Sequence, residues 1–426
     1  MPLSERPAGG APSRLAGLAD DLLRHFGAEP PRRLGLAVSG GSDSRALMEM
    51  AALWAPGWGV TLEVATIDHG LRPEAASEAA AVAARAEALG LPAEVLRWEA
   101  PASGNLQAEA RAGRYRLLAG WAGRRGLDAV ALAHTQDDQA ETFLMRLARE
   151  AGVDGLSAMA PEVTRHGVTF HRPLLAYARA ELRAALTEAG HDWAEDPSNQ
   201  DPRYERVRAR EALAALAPLG ITAETLAETA AQLRSARAAL DAQLEAAIAA
   251  HVRQEAGDLI LAHSLYAEPE EVQRRLWIAA LRWISSEPYP PRRAPLAAAI
   301  TRARIGEAQS LSGALTLPAP GATRLTREWK AVAERRAAPG ALWDGRWIVT
   351  APSGAPAEGA CEVRALGAEG LLLCPDWRAS GLPRQSLLAS PSIWAGAALI
   401  AAPLADPDRG GSAQLVAQFT PAALSH

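Results

Sequence analysis

The chain has 426 residues with 44 basic and 49 acidic side chains, a formal net charge of −5, a single lysine (Lys330) and two cysteines (Cys361 and Cys374). These counts exclude a phosphate-loop or Schiff-base lysine before residue 330, a disulfide framework, and a metal site built on several thiolates. The length predicts two or three domains; Ser4-Glu5-Arg6 lacks the apolar stretch of a signal peptide, and the longest apolar run, Ile393 to Ala405, is short for a bilayer and contains Pro403, so a cytoplasmic protein without a membrane span is expected.

Leu34 to Val38 reads as an apolar strand, followed by a Gly-Gly turn and a helix with Leu47, Met50, Ala51 and Trp54 at helical spacing. Val60, Leu62, Val64 and Thr66 alternate as a second strand. A helix over Glu74 to Leu89 stops at Gly90. Val95 to Trp98 is a third strand and Leu106 to Arg124 a long helix. Asp128 to Ala133 is a fourth strand, before a helix that starts near Asp137. This alternation predicts an α/β domain over residues 1–215, with a parallel sheet covered on both faces. From about 220 to 310 strands vanish, and no Pro or Gly interrupts Ile221 to Ala256, so a helical domain is expected over 216–312. It is broken at Glu287-Pro-Tyr-Pro-Pro291. Short apolar runs such as Trp347 to Thr350 and Leu371 to Leu373 predict a small β-rich domain over 313–426, with a linker near Arg336 to Gly340.

The most informative stretch is Leu36-Ala-Val-Ser-Gly-Gly-Ser-Asp-Ser44. A buried strand runs into Ser39, Gly40 and Gly41, and Ser42, Asp43 and Ser44 open a helix. The glycines let backbone approach a phosphate, and the free N–H groups of a helix start point at the anion. The serine hydroxyls add donors. Asp43 would repel a bare phosphate, so it makes sense only beside magnesium or an amine. The bland alternative is a serine-capped turn.

The loop resembles the PP-loop of the ATP pyrophosphatases, which split ATP into AMP and pyrophosphate and use no lysine there. Four further segments resemble, in chain order, the pattern of the tRNA(Ile)-lysidine synthases of that superfamily. They are Asp68-His-Gly-Leu-Arg72, Ala110-Arg-Ala-Gly-Arg-Tyr115, Ala133-His-Thr-Gln-Asp-Asp-Gln-Ala-Glu-Thr142, and Asp196-Pro-Ser-Asn-Gln-Asp201 with Tyr204, Arg206 and Arg210. Arg172-Pro-Leu-Leu175 and Gly155-Leu-Ser-Ala-Met159 also fit. One departure is Val207, where the family has asparagine. The resemblance implies an adenine nucleotide α-hydrolase-like catalytic domain followed by two tRNA-binding domains. It implies ATP and Mg2+ as cofactors, with Asp43 as the metal partner. The implied partners are free L-lysine and tRNA(Ile) with a CAU anticodon. In the implied reaction ATP adenylates the C2 oxygen of the wobble cytidine and the lysine ε-amine then displaces AMP, forming lysidine.

The same segments also have readings from chemistry alone. Asp68 and His69 follow a parallel strand's C-terminal end, where ligands bind in open α/β sheets, though Asp68 could be a turn residue. Arg111 and Arg114 share a helical face and could hold a phosphate of ATP, or line a solvated face with Tyr115 against the sheet. Asp137, Asp138 and Glu141 form an acidic group beside His134, with capping as the alternative for the two aspartates. These three, with Asp43, are the expected catalytic residues, and any of the three could bind the amine or accept its proton. Arg206 and Arg210 are expected RNA contacts, or partners of Glu205 and Glu211. Between Glu271 and Ile305 seven arginines face two glutamates, with Trp277, Trp283 and Tyr289 among them; Arg275 and Arg282 are the expected phosphate contacts, with the tryptophans as core in the alternative. A tRNA-thiolating enzyme would need cysteines, and none precedes Cys361. A non-catalytic nucleotide-binding module would gain nothing from the carboxylates at 137, 138 and 141.

Overall fold

The computed structural model describes residues 13–70, 75–98, 106–195, 201, 203–287, 289–356 and 359–420. The chain divides into two compact units, 1–237 and 238–426.

The first unit runs α1 (Arg14–Phe26), β1 (Arg33–Ala37), α2 (Ser42–Trp54), β2 (Thr61–Asp68), α3 (Ala75–Ala88), β3 (Ala93–Arg97), α4 (Leu106–Arg125), β4 (Ala129–Leu132), α5 (Gln136–Leu147), α6 (Val153–Leu156), β5 (Glu162–Arg165), β6 (Val168–His171), α7 (Arg179–Glu188) and α8 (Glu205–Leu216). It ends within α9 (Ala223–His251). The sheet order is β3-β2-β1-β4-β6-β5, parallel except for the edge strand β5. Leu34, Leu36, Leu62 and Val64 pack under Leu47, Met50, Trp54, Leu182 and Leu186. Ala37, Ala65, Val130 and Leu132 meet Tyr115, Leu118 and Trp121 of α4. Gly35 is required there: a Cβ on it would lie 2.6 Å from the Trp121 ring. The expected parallel sheet with both faces covered is therefore present. The apolar strands buried on both sides are what such a sheet demands. The chain leaves β1 toward β2 and β3, then returns to place β4 on the other side of β1. This switch opens a crevice past the C-terminal ends of β1 and β4.

The second unit continues with β7 (Val252–Glu255), β8 (Asp258–Ala262), α10 (Glu270–Ser285), α11 (Arg293–Arg304), β9 (Gln309–Leu311), β10 (Ala314–Ala319), β11 (Ala322–Arg327), α12 (Trp329–Val332), β12 (Leu342–Trp343), β13 (Trp347–Thr350), β14 (Glu362–Ala365), α13 (Gly367–Leu372), α14 (Arg384–Leu388), β15 (Pro391–Ala395), β16 (Ala398–Ala401) and β17 (Ser412–Leu415). Its sheets are β7-β8-β11-β10-β9, β12-β13-β17 and β14-β15-β16.

Four sequence expectations fail here. The region from 220 to 310 contains the β7–β8 hairpin, because Ala256 and Gly257 take positive φ (46° and 87°) and turn the chain back. The boundary expected at 312 falls between β9 and β10, which are paired strands of one sheet. The stretch Arg336 to Gly340 is no linker: Ala337 bridges Val363, and the Gly340 N–H donates to the Val349 carbonyl at 2.8 Å. Leu371 and Leu372 close a short helix, while Trp347–Thr350 is the expected strand. Among the described residues no helix is long and apolar enough to cross a membrane.

Candidate active site

Past β1 the backbone turns at Gly40, whose φ of +90° lies where a side chain is strained. Gly41 is the N-cap of α2 and brings no side-chain acceptor. The first N–H groups of α2 therefore keep their capacity for an anion. Ser44 Oγ donates to the Gly41 carbonyl at 3.0 Å and accepts the Ser39 N–H at 3.1 Å, with Ser39 Oγ 3.2 Å away. Ser42 Oγ donates to Asp43 Oδ1 at 3.1 Å. The Ala194 N–H donates to the Gly40 carbonyl at 3.0 Å, holding the loop from outside.

Across the crevice, past β4, α5 begins at Gln136 with Thr135 as its N-cap. Asp138 Oδ2 accepts the Thr135 N–H at 2.9 Å and its hydroxyl at 3.1 Å. The capping reading therefore holds for one oxygen of Asp138. The other, Oδ1, faces Arg179 Nη2 at 3.4 Å and Arg206 Nη1 at 3.8 Å. Glu141, one turn on and 1 % exposed, accepts from Arg210 through one oxygen, while Oε2 is buried without a partner. Asp137 Oδ2 accepts the Arg179 N–H at 2.7 Å and so caps α7 from outside it.

Arg179 joins the two halves. Its Nε donates to Asp43 Oδ2 at 2.8 Å, and Nη1 lies 3.6 Å from Glu141 Oε1. One turn along α7, Arg183 Nε donates to Ser42 Oγ at 3.1 Å. Sequence reasoning missed both arginines. Their i,i+4 spacing was visible, but only the packing of α7 on α2 reveals what they face.

Burial raises the Asp43 carboxyl above its ordinary range, with Arg179 pulling against it. Burial and the neighbouring Asp138 raise Glu141, opposed by Arg210 and Arg179. Burial also works on Asp138, but its interaction with His134, then with Arg179 and Arg206 and the Thr135 N–H, holds it low. His134, with Nδ1 buried and unpartnered, is pushed down to about 3 by burial against the pull of Asp138. The site thus holds a neutral imidazole beside carboxylates of unequal basicity.

Asp68 forms an Asx turn, accepting the Gly70 N–H at 2.9 Å. His69 sits edge-on to Trp98, with Nδ1 buried, and burial and then the Arg114 charge lower its pKa. Arg114 also acts on His134 and so stands near both histidines. Arg111 lies on α4, but its side chain is outside the described residues, as are Leu71, Arg72 and the stretch 196–200. Tyr115 packs against Phe170, as the bland reading has it. Arg172 is also structural, donating to the Ala160 carbonyl at 2.6 Å and to Tyr115 Oη at 3.3 Å. Gln139 exchanges two hydrogen bonds with the Met159 backbone, tying the Gly155–Met159 motif to α5.

The arginines expected on RNA are placed differently. Arg206 lies 3.8 Å from Asp138 Oδ1, and Arg210 lies 2.8 Å from Glu141 Oε1. In the second unit, Arg275 is 7 % exposed and paired with Glu271 at 2.9 Å and Asp241 at 3.0 Å, so its expected phosphate contact is corrected to a buried structural role. Arg282 has a buried Nε without a hydrogen-bond partner. Trp277 is core, and the Trp283 ring lies under Arg346.

Among the described residues no group of three or more His, Cys, Asp or Glu could hold a metal by itself. Magnesium needs less than that: one or two carboxylates beside phosphates and water. Asp43 fits, because Arg179 holds Oδ2 and, among the described residues, the Ser42 hydroxyl alone engages Oδ1.

The PP-loop domain family matches residues 15–217. The tRNA(Ile)-lysidine synthase of Ruegeria pomeroyi is 50 % identical over 417 residues, covering 96 % of this chain and 99 % of that protein. Those of Rhodopseudomonas palustris (50 % identical, 50 % of this chain, 62 % of that one) and Bradyrhizobium sp. (43 %, 60 % and 75 %) match shorter stretches. With the phosphate loop and the acid cluster in one crevice, and a relative similar from end to end, the chain belongs to the tRNA(Ile)-lysidine synthase family.

Proposed function

We propose that the protein ligates free L-lysine to C2 of the wobble cytidine of tRNA(Ile) with a CAU anticodon, forming lysidine and converting ATP to AMP and pyrophosphate. The supporting observation is the convergence of an uncapped helix start with a buried acid cluster in which Glu141 Oε2 has no partner.

In the first step the C2 oxygen bonds to the α-phosphorus of ATP, and the bond to pyrophosphate breaks. The α2 N–H groups, with Ser39 and Ser42, receive the phosphates. Magnesium, held by Asp43 Oδ1, would offset the pyrophosphate charge. In the second step the ε-nitrogen bonds to C2, and the C2–O bond breaks with its electron pair leaving on AMP. Asp138 Oδ1 and Glu141 Oε2 accept the ammonium. Glu141, the more basic of the two, takes the proton that must leave before attack. Arg206 and Arg210 keep both carboxylates oriented. The cytoplasm, where tRNA is modified, is the expected site of action.

Sustained pyrophosphate release measured with ATP, lysine and tRNA(Ile), each omitted in turn, tests the assignment. Turnover that persists without lysine or tRNA would overturn it.

A further inference from the structure

We propose that Arg183 binds the pyrophosphate portion of ATP, and that Glu195 occupies its guanidinium until the polyphosphate arrives; this rests on the ATP-dependent reading above.

The phosphate loop contains no cation of its own and one anion, Asp43. A polyphosphate there needs positive charge from elsewhere in the fold, and α7 supplies two arginines on one face, four residues apart. They are not equivalent. Arg179 is 19 % exposed and bound to Asp43, with Asp138 and Glu141 within 3.6 Å, so the carboxylates hold it. Arg183 is 41 % exposed and touches the loop itself, through Ser42 Oγ at the first residue of α2. It also pairs with Glu195, 60 % exposed, whose Oε1 and Oε2 lie 3.0 and 3.3 Å from Nη2. An ion pair this open is weak. A phosphate can take two parallel charge-assisted hydrogen bonds from two nitrogens of a planar guanidinium, whereas Glu195 engages Nη2 alone. The Trp193 ring, 5.7 Å from the guanidinium, gives the fork a wall. Trp193 Nε1 also donates to Glu195 at 2.9 Å, so Glu195 keeps a partner when Arg183 leaves it.

The alternative is that Arg183 and Glu195 only brace the segment around residues 193–195 against the loop. The two roles predict opposite effects for Glu195. Full-length protein is assayed with tRNA(Ile), lysine and magnesium, reading the KM for ATP, inhibition by inorganic pyrophosphate, and the KM for lysine. Arg183→Met should raise the ATP KM and the pyrophosphate inhibition constant together, by roughly ten-fold, and leave the lysine KM within about two-fold. Arg183→Lys, which keeps the charge without the fork, should fall between. Glu195→Gln should lower the ATP KM or leave it unchanged. A Glu195→Gln variant that loses ATP affinity as Arg183→Met does would overturn the proposal in favour of bracing. Unchanged ATP and pyrophosphate constants in Arg183→Met would also overturn it. If Arg183→Met does not fold, Arg183→Lys and Glu195→Gln carry the same test. A wild-type protein without lysine- and tRNA-dependent release would instead defeat the functional reading on which this rests.

Discussion

Arg210 directs two donors, Nε at 3.0 Å and Nη2 at 2.8 Å, onto a single oxygen of Glu141, and leaves the other oxygen of that buried carboxylate unpartnered. A buried acceptor left in this state is unfavourable by about 1–3 kcal/mol, which a ligand's donor would recover. Glu141→Gln retains an oxygen for Arg210 but removes the charge and the basic site. Ligation should fall by about 100-fold or more while the ATP KM stays near wild type. Steady-state assays with labelled lysine check this, and wild-type ligation would remove Glu141 from the mechanism. In the wild type, kcat/KM for lysine should decline on the acid side with an apparent pKa above the ordinary glutamate value, because burial and Asp138 raise Glu141.

Asp137 has a positional role. It caps α7, the helix that carries Arg179 and Arg183. Asp137→Ala should lower stability by about 1 kcal/mol, as loss of a cap does, and abolish most ligation by displacing both arginines. Asp137→Asn keeps an acceptor for the Arg179 N–H and should recover the stability and most of the activity. Thermal melting alongside ligation separates the roles: an Asn variant that is stable but inactive would show that the charge itself is needed.

Arg179 opposes the burial of Asp43 and Glu141. Without its cation both carboxyls rise further. Arg179→Met should therefore move the acid limb of the pH–rate profile to higher pH and reduce the rate at neutral pH, while Arg179→Lys should lie nearer wild type. An unmoved limb in Arg179→Met would show that Arg179 does not tune these acids.

His134 gives a stability prediction. Its pKa falls from an ordinary 6.5 to about 3 in the fold. A depressed histidine contributes stability that is present above 6.5 and lost as pH falls toward 3. Wild type should lose stability over that window more steeply than His134→Gln. Asp138, Arg114, Arg172 and Arg206 face the ring, and the three arginines add to the resistance against its protonation. His25, pushed down to about 4 by burial and His171, titrates nearby but is present in both proteins, so the difference curve reports His134 together with the Asp138 carboxyl that interacts with it. Parallel curves from denaturant melts would contradict the assignment.

The parts of the site that were legible in the sequence are those encoded locally. Ser39 to Ser44 announce a strand-to-helix turn, and Asp137, Asp138 and Glu141 stand at the start of a helix after an apolar strand. Alternating strands and helices then placed both segments at the same edge of a parallel sheet. What stayed hidden depends on packing between distant segments. Arg179 and Arg183 meet the loop across more than 130 positions of sequence, at Asp43 and Ser42. Arg206 and Arg210 were visible as a basic face, but nothing local told that Asp138 and Glu141 lie opposite. Arg275 shows the converse: helical spacing with aromatic neighbours suggested a surface, and pairing with Asp241 and Glu271 consumes it in the fold. The β7–β8 hairpin escaped because Val252-Arg-Gln-Glu255 has no apolar alternation to mark a strand.

The bond from the Ala194 N–H to the Gly40 carbonyl, with the Ser39–Ser44 contacts inside the turn, has a further consequence. These bonds pin the turn within the fold itself, without any nucleotide, so less conformational freedom is left for the loop to surrender on binding than in an unbraced turn. Nucleotide capture at this cradle should then resemble insertion into a preformed mould, with little entropy lost by the loop itself.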